Sequence, residues 1–82
     1  MLKENSLTIL NYVKDHDGED LTAADIAEAT GIPVKSVNPC ITAMGRHHNL
    51  LYREEVAVTG GKVKYIRLTD EGRNFDPNAQ ED

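Results

Sequence analysis

The chain has no tryptophan, a single cysteine and three prolines in 82 residues, and no apolar run approaches the roughly 18 to 20 residues that a membrane-spanning helix needs. With Cys40 alone no intramolecular disulfide can form, which suits a reducing compartment. The opening Met1-Leu2-Lys3-Glu4-Asn5 lacks the charged and hydrophobic regions of a signal peptide, so the expected location is the cytoplasm, with no membrane partner. Metal ligands are also scarce. Cys40, His16, His47 and His48 are the only soft or borderline ones, and the paired spacing of a structural zinc site is missing. Cys40 and His47 share a helical face seven residues apart, yet Cys40 reads better as a small core residue. The two adjacent histidines read as a helix end, where an imidazolium suits the negative pole of the dipole. Gly60-Gly61 before Lys62 lacks the strand-loop-helix context of a phosphate loop. No nucleophile stands beside a base, so neither an enzyme nor a cofactor or metal site is expected.

At this length only about 60 to 65% of the unfolded surface is buried on folding, which supports one compact core and no second domain. Apolar content of 39% and charged content of 28% are ordinary for a soluble protein. Without tryptophan, the core must come mainly from leucine, isoleucine and valine.

The net charge of −5 argues at first against a nucleic-acid partner, but the charge is unevenly distributed. Residues 1 to 30 hold two lysines against seven carboxylates, a net of −5. Residues 31 to 68 hold Lys35, Arg46, Arg53, Lys62, Lys64 and Arg67 against only Glu54 and Glu55, a net of +4. Residues 69 to 82 hold Arg73 against five carboxylates, a net of −4. Only the middle sector could face a phosphate backbone.

Three helical patterns precede a hairpin. Leu2, Ile9, Leu10 and Val13 lie on one stripe, which predicts a first helix over about 4–16, stopped by the turn Asp17-Gly18-Glu19-Asp20. Thr22 with Asp25 three residues on is a variant of the capping box and predicts a short second helix over about 22–30, ended by Thr30-Gly31. A third helix follows over about 34–48, packing through Val37, Ile41 and Met44. Short helix, glycine-containing turn and second helix form a helix-turn-helix, whose second member is held out for a groove. Pro39 disturbs it. Either the helix kinks there, at a cost of about 3 kcal/mol in a regular interior, or it starts later, with Asn38 as cap and Pro39 as its first residue. The longer helix is carried forward. Gly45 is a second weak point that allows another backbone to approach. After Asn49, a residue suited to a left-handed helix stop, two runs rich in β-formers, about 50–59 and 62–69, are joined through Gly60-Gly61 as a hairpin.

With that register Lys35, Ser36, Asn38, Thr42 and Arg46 project from the third helix, where they can reach base edges and phosphates. Arg53 on the first strand, with Lys62 and Lys64 near the hairpin tip, adds cations for phosphates or a minor groove. Polar residues are equally common on any surface helix, and lysines on an edge strand also discourage aggregation, so each feature alone decides little.

The string Leu21 to Ile32 (LTAADIAEATGI), then Ser36-Val37, Asn49-Leu50-Leu51-Tyr52-Arg53 and Tyr65 to Arg73 (YIRLTDEGR), resembles the winged-helix regulators of the MarR-like kind over nearly the whole chain. Leu68-Thr69-Asp70-Glu71-Gly72 is the most specific piece, since in these proteins it looks like the second wing strand turning into a following helix. The resemblance implies an α+β winged helix-turn-helix, three helices followed by a two-stranded wing, over residues 1–75, with an acidic disordered tail over 76–82. It also implies a DNA-binding transcriptional regulator acting on double-stranded DNA. The third helix would enter the major groove through Lys35, Ser36, Asn38, Thr42 and Arg46, and the wing would contact the flanking backbone through Lys62 and Lys64. The helices that form the dimer at both ends of full-length members are not present in this sequence. A competing reading is an adaptor that binds a protein through the acidic surface of the first two helices. Tyr52 and Tyr65 would serve better as anchors for a partner or a second copy, through the hairpin or the first helix.

Overall fold

The computed structural model describes residues 3–75. The elements run α1 (Glu4–Asp15), α2 (Ala23–Thr30), α3 (Val34–His47), β1 (Leu51–Val58), β2 (Gly61–Leu68) and α4 (Asp70–Asn74). The expected acidic tail, 76–82, lies outside the described residues.

α1 buries Ile9, Leu10 and Val13 of the stripe read from the sequence against α3 and α2, and Leu2 lies outside the described residues. The turn after it passes through Gly18 at φ 91°, a left-handed conformation that glycine adopts without steric cost. α2 starts on the complete capping box: Asp25 N–H donates to the Thr22 hydroxyl and Thr22 N–H to the Asp25 carboxylate, both at 3.1 Å. It ends on Gly31 at φ 79°, whose N–H donates to the Ala27 carbonyl at 2.9 Å.

α3 is the longer of the two alternatives and runs unbroken through Pro39. Proline at that position cannot donate to the carbonyl of Lys35, four residues earlier. Burial outweighs the loss. Val37, Ile41 and Met44 flank Pro39 on both sides and are essentially fully buried, each contributing about 1.5 to 3 kcal/mol. The Pro39 ring itself is exposed. Asn38 is not a cap: the helix starts four residues earlier, where the Pro33 carbonyl accepts from Ser36 and Val37 N–H at 2.8 and 2.9 Å.

Asn49 leaves the helix at φ 52°, the left-handed stop read from the sequence, and Leu50 N–H reaches back to the Met44 carbonyl at 3.1 Å. β1 and β2 pair antiparallel from Leu51↔Leu68 out to Val58↔Gly61, turning through Thr59-Gly60. One connection was not legible in the sequence. Ile66 N–H donates to the Leu21 carbonyl at 2.6 Å, an isolated antiparallel bridge that ties the base of the hairpin to the residue just before α2.

The Leu-Thr-Asp-Glu-Gly stretch does turn β2 into a helix, α4. Thr69 caps it by accepting from Gly72 N–H at 2.9 Å, while its own hydroxyl donates to the Asn49 carbonyl at 2.5 Å and its N–H to Leu50. Gly72 is fixed by packing: a Cβ there would sit 2.1 Å from the Leu50 carbonyl oxygen. All three long helices and the hairpin base share one cluster of aliphatic side chains, from Ile9 to Leu68. Among the described residues no buried side-chain nitrogen or oxygen lacks a hydrogen-bond partner, and no helix is long and apolar enough to cross a membrane.

Candidate nucleic-acid interface

Two surfaces meet at the outer side of α3. On the helix, Lys35, Asn38, Thr42 and Arg46 follow one another at spacings of three and four residues and form one row opposite the buried stripe. Lys35, Asn38 and Arg46 are exposed, and Thr42 is half-buried. Ser36 falls on a different row, with Cys40, Ala43 and His47, and is half-buried.

On the hairpin, paired residues share a face and successive residues alternate. Leu51, Arg53, Glu55 and Ala57 therefore stand with Leu68, Ile66, Lys64 and Lys62. The base of that face, Leu51, Ile66 and Leu68, is core. Its outer part carries Arg53, Glu55, Lys64 and Lys62.

Arg53 joins the two surfaces. Its Nη1 donates to the Thr42 hydroxyl at 3.1 Å, and its Nη2 donates to the backbone carbonyl of Asn38 at 3.1 Å and to the Asn38 side-chain oxygen at 3.3 Å. The α3 row and the outer hairpin face thus belong to one surface, with five cations and one carboxylate. Lys62 lies 3.3 Å from Glu55, an exposed pair. Among the described residues Lys35, Arg46, Arg53 and Lys64 make no ion pair.

The sixth cation of the basic sector is elsewhere. Arg67 lies on the opposite hairpin face with Tyr52, Glu54 and Tyr65, donating to Asp20 at 2.8 Å, to Glu54 at 3.0 Å and to the Glu19 carbonyl at 3.0 Å. Its guanidinium also stands 5.2 Å from the Tyr65 ring centre. The hydrogen bonds it donates to Asp20 and Glu54 raise its pKa further, and its charge is matched locally. Arg73 is held likewise, by Asp17 at 2.7 Å and Asp70 at 3.2 Å, and its hydrogen bond holds the Asp17 carboxyl below the ordinary carboxylate value. Asp17 and Asp20 are therefore taken up by Arg73 and Arg67, and the Glu19 carboxylate lies 2.8 Å from His16 Nδ1.

Sequence spacing brings Lys35, Asn38, Thr42 and Arg46 together, and the fold adds Arg53, Lys62 and Lys64 to them. What spacing could not show is the Arg53 contact with residues 11 and 15 positions earlier, because it depends on how the strand leaves the helix.

No protein-family model matches the chain, and no curated protein matches it either. Among solved structures it is similar to MepR, a transcription regulator of the Staphylococcus aureus multidrug efflux pump MepA, with 27% identity and a TM-score of 0.75 over 89% of this chain. The chain spans about half of that protein, 51% of its length. Helix order, antiparallel wing and this likeness agree: the chain is a MarR-like winged helix.

Proposed function

We propose that this domain is a DNA-binding transcriptional regulator that lays α3 in the major groove of double-stranded DNA and rests its hairpin on the flanking backbone. The observation that carries the reading is the sorting of charge. Lys35, Arg46, Arg53, Lys62 and Lys64 occupy one surface, while the acidic residues of α1, α2 and the intervening turn occupy others or are paired with Arg67 and Arg73. A chain of net −5 can approach phosphate only if its cations are gathered in this way. In this reading Lys35, Arg46, Lys62 and Lys64 contact phosphates, Asn38, Thr42 and Arg53 lie over base edges, and Ser36 reaches the backbone from the flank of α3. The likeness to a transcription regulator supports the same assignment.

Fluorescence anisotropy with random duplex tests it. Binding at low salt is expected, and Lys62→Glu with Lys64→Glu should weaken it about equally on all sequences. No binding at micromolar protein in low salt refutes the reading and leaves the adaptor as the better one. That adaptor would use the groove beside α2 lined by Tyr12, Leu21, Asp25 and Glu28.

A further inference from the structure

Resting on the DNA-binding reading, we infer that Arg53, held by Asn38 and Thr42, is the specificity-determining residue of this surface, and that it reads guanine. Asn38, the residue whose chemistry would suit adenine, is a positioning residue.

The amide of Asn38 is held in one orientation. Its side-chain oxygen accepts from Arg53 Nη2 at 3.3 Å. The flipped amide would set its NH2 group against the guanidinium, donor against donor, so Arg53 fixes the orientation. An asparagine reads adenine by accepting from N6 with its oxygen while donating to N7 with its nitrogen. Here the oxygen already gives one of its two lone pairs to Arg53 and is turned toward it, whereas both NH2 donors are free to face a base.

Arg53 is in the opposite position. A guanidinium has five N–H donors. Nη1 is used on Thr42 and Nη2 on Asn38, and Nε has no hydrogen-bond partner among the described residues. No carboxylate neutralises it there either. The Thr42 contact is partly buried and the Asn38 contacts are exposed, so both Nη groups are held against α3, while Nε–H and the second Nη1 N–H are left to face a base. The cluster as a whole offers donors: the free guanidinium N–H groups and the Asn38 NH2. Guanine presents two acceptors, O6 and N7, in the major groove, whereas adenine presents an acceptor and a donor. A cluster so rich in free donors, with its acceptors already engaged by Arg53, fits guanine better than adenine, whose N6 group needs an acceptor.

The experiment is selection from a random duplex pool with the full chain, followed by anisotropy on the selected duplex and on substituted versions. Wild type should select guanine at one position. Replacing that guanine by adenine should weaken binding about 5- to 150-fold, and 7-deazaguanine, which lacks N7, should weaken it in the same direction. Arg53→Lys keeps the charge and loses the rigid fork, so it should retain salt-dependent binding to random duplex while losing the guanine preference. Asn38→Ala should blunt that preference without changing which base is selected. Selection of adenine, abolished in Asn38→Ala and kept in Arg53→Lys, overturns the inference while DNA binding stands. An unchanged guanine preference in Arg53→Lys overturns it as well. Failure of wild type to bind any duplex at low salt overturns the functional reading and the inference with it.

Discussion

Glu55 is the one carboxylate on the proposed DNA surface, and removing its charge should tighten binding. Its carboxylate lies 3.3 Å from Lys62 Nζ, so in the free protein Lys62 is matched by Glu55 and competes poorly for a phosphate. Both side chains are at least half exposed, 65% and 50%, so the pair adds little to stability and Glu55→Gln should leave the melting curve nearly unchanged. The effect on DNA is larger. Each neutralised phosphate contributes a slope of about 0.9 in log affinity against log salt, so one further contact from a freed Lys62 tightens binding about 8-fold at about 0.1 M salt. The gain should shrink toward zero as salt nears about 1 M. Glu54→Gln is the matched control, because Glu54 lies on the other hairpin face and pairs with Arg67. The assay is anisotropy over a salt series with random duplex. Equal effects of the two variants, or weaker binding by Glu55→Gln, would refute the assignment of faces.

Four further outcomes concern the scaffold. Gly72→Ala should destabilise the domain by about 3 kcal/mol or more in thermal or urea unfolding, because its Cβ would meet the Leu50 carbonyl oxygen at 2.1 Å and backbone cannot yield cheaply. Gly45→Ala should cost much less, since the corresponding approach to the Leu51 carbonyl is 2.9 Å and alanine regains about 1 kcal/mol of helix propensity. Pro39→Ala should stabilise the fold by about 1 to 2 kcal/mol, restoring at position 39 the N–H donor that the Lys35 carbonyl lacks, and raise Tm by about 4 to 8 °C for each kcal/mol; an unchanged or lower Tm would contradict the account of α3. Asp17→Asn should be less stable than wild type at neutral pH. Because Arg73 depresses the Asp17 pKa, that stability is present above the ordinary carboxylate value and lost as pH falls through the lowered one. The gap between the two proteins should close in acid unfolding, and a gap that persists below that range would remove the pairing as its cause.

The local signals were legible because they act within a few residues. Thr22 with Asp25, Gly31, Asn49 and the alternating runs on either side of Gly60-Gly61 each specify a cap, a stop or a turn by their own chemistry, and the structure places them so. Pro39 was ambiguous because its local cost and the burial of Val37, Ile41 and Met44 oppose each other, and only the packed core decides between them. The charge of the middle sector was legible as a sum but not as a surface. Arg67 and Glu54 leave the sum together because strand alternation turns them to the other face, while Glu55 stays with the lysines. The Leu21 to Ile66 bridge and the Arg53 contacts join distant segments, and nothing in the spacing of the chain announces them.

The surface formed by α3 and the outer hairpin face is the one expected to meet DNA. Titration of the isotope-labelled chain with a short duplex, followed by backbone and side-chain NMR shifts, reads this directly. The shifts should concentrate at Lys35, Asn38, Thr42, Arg46, Arg53, Lys62 and Lys64, with Glu19 to Glu28 and Tyr65 unmoved. Shifts centred on α1 and α2 or on the Tyr52 and Tyr65 face, or no shifts at low salt, would contradict it.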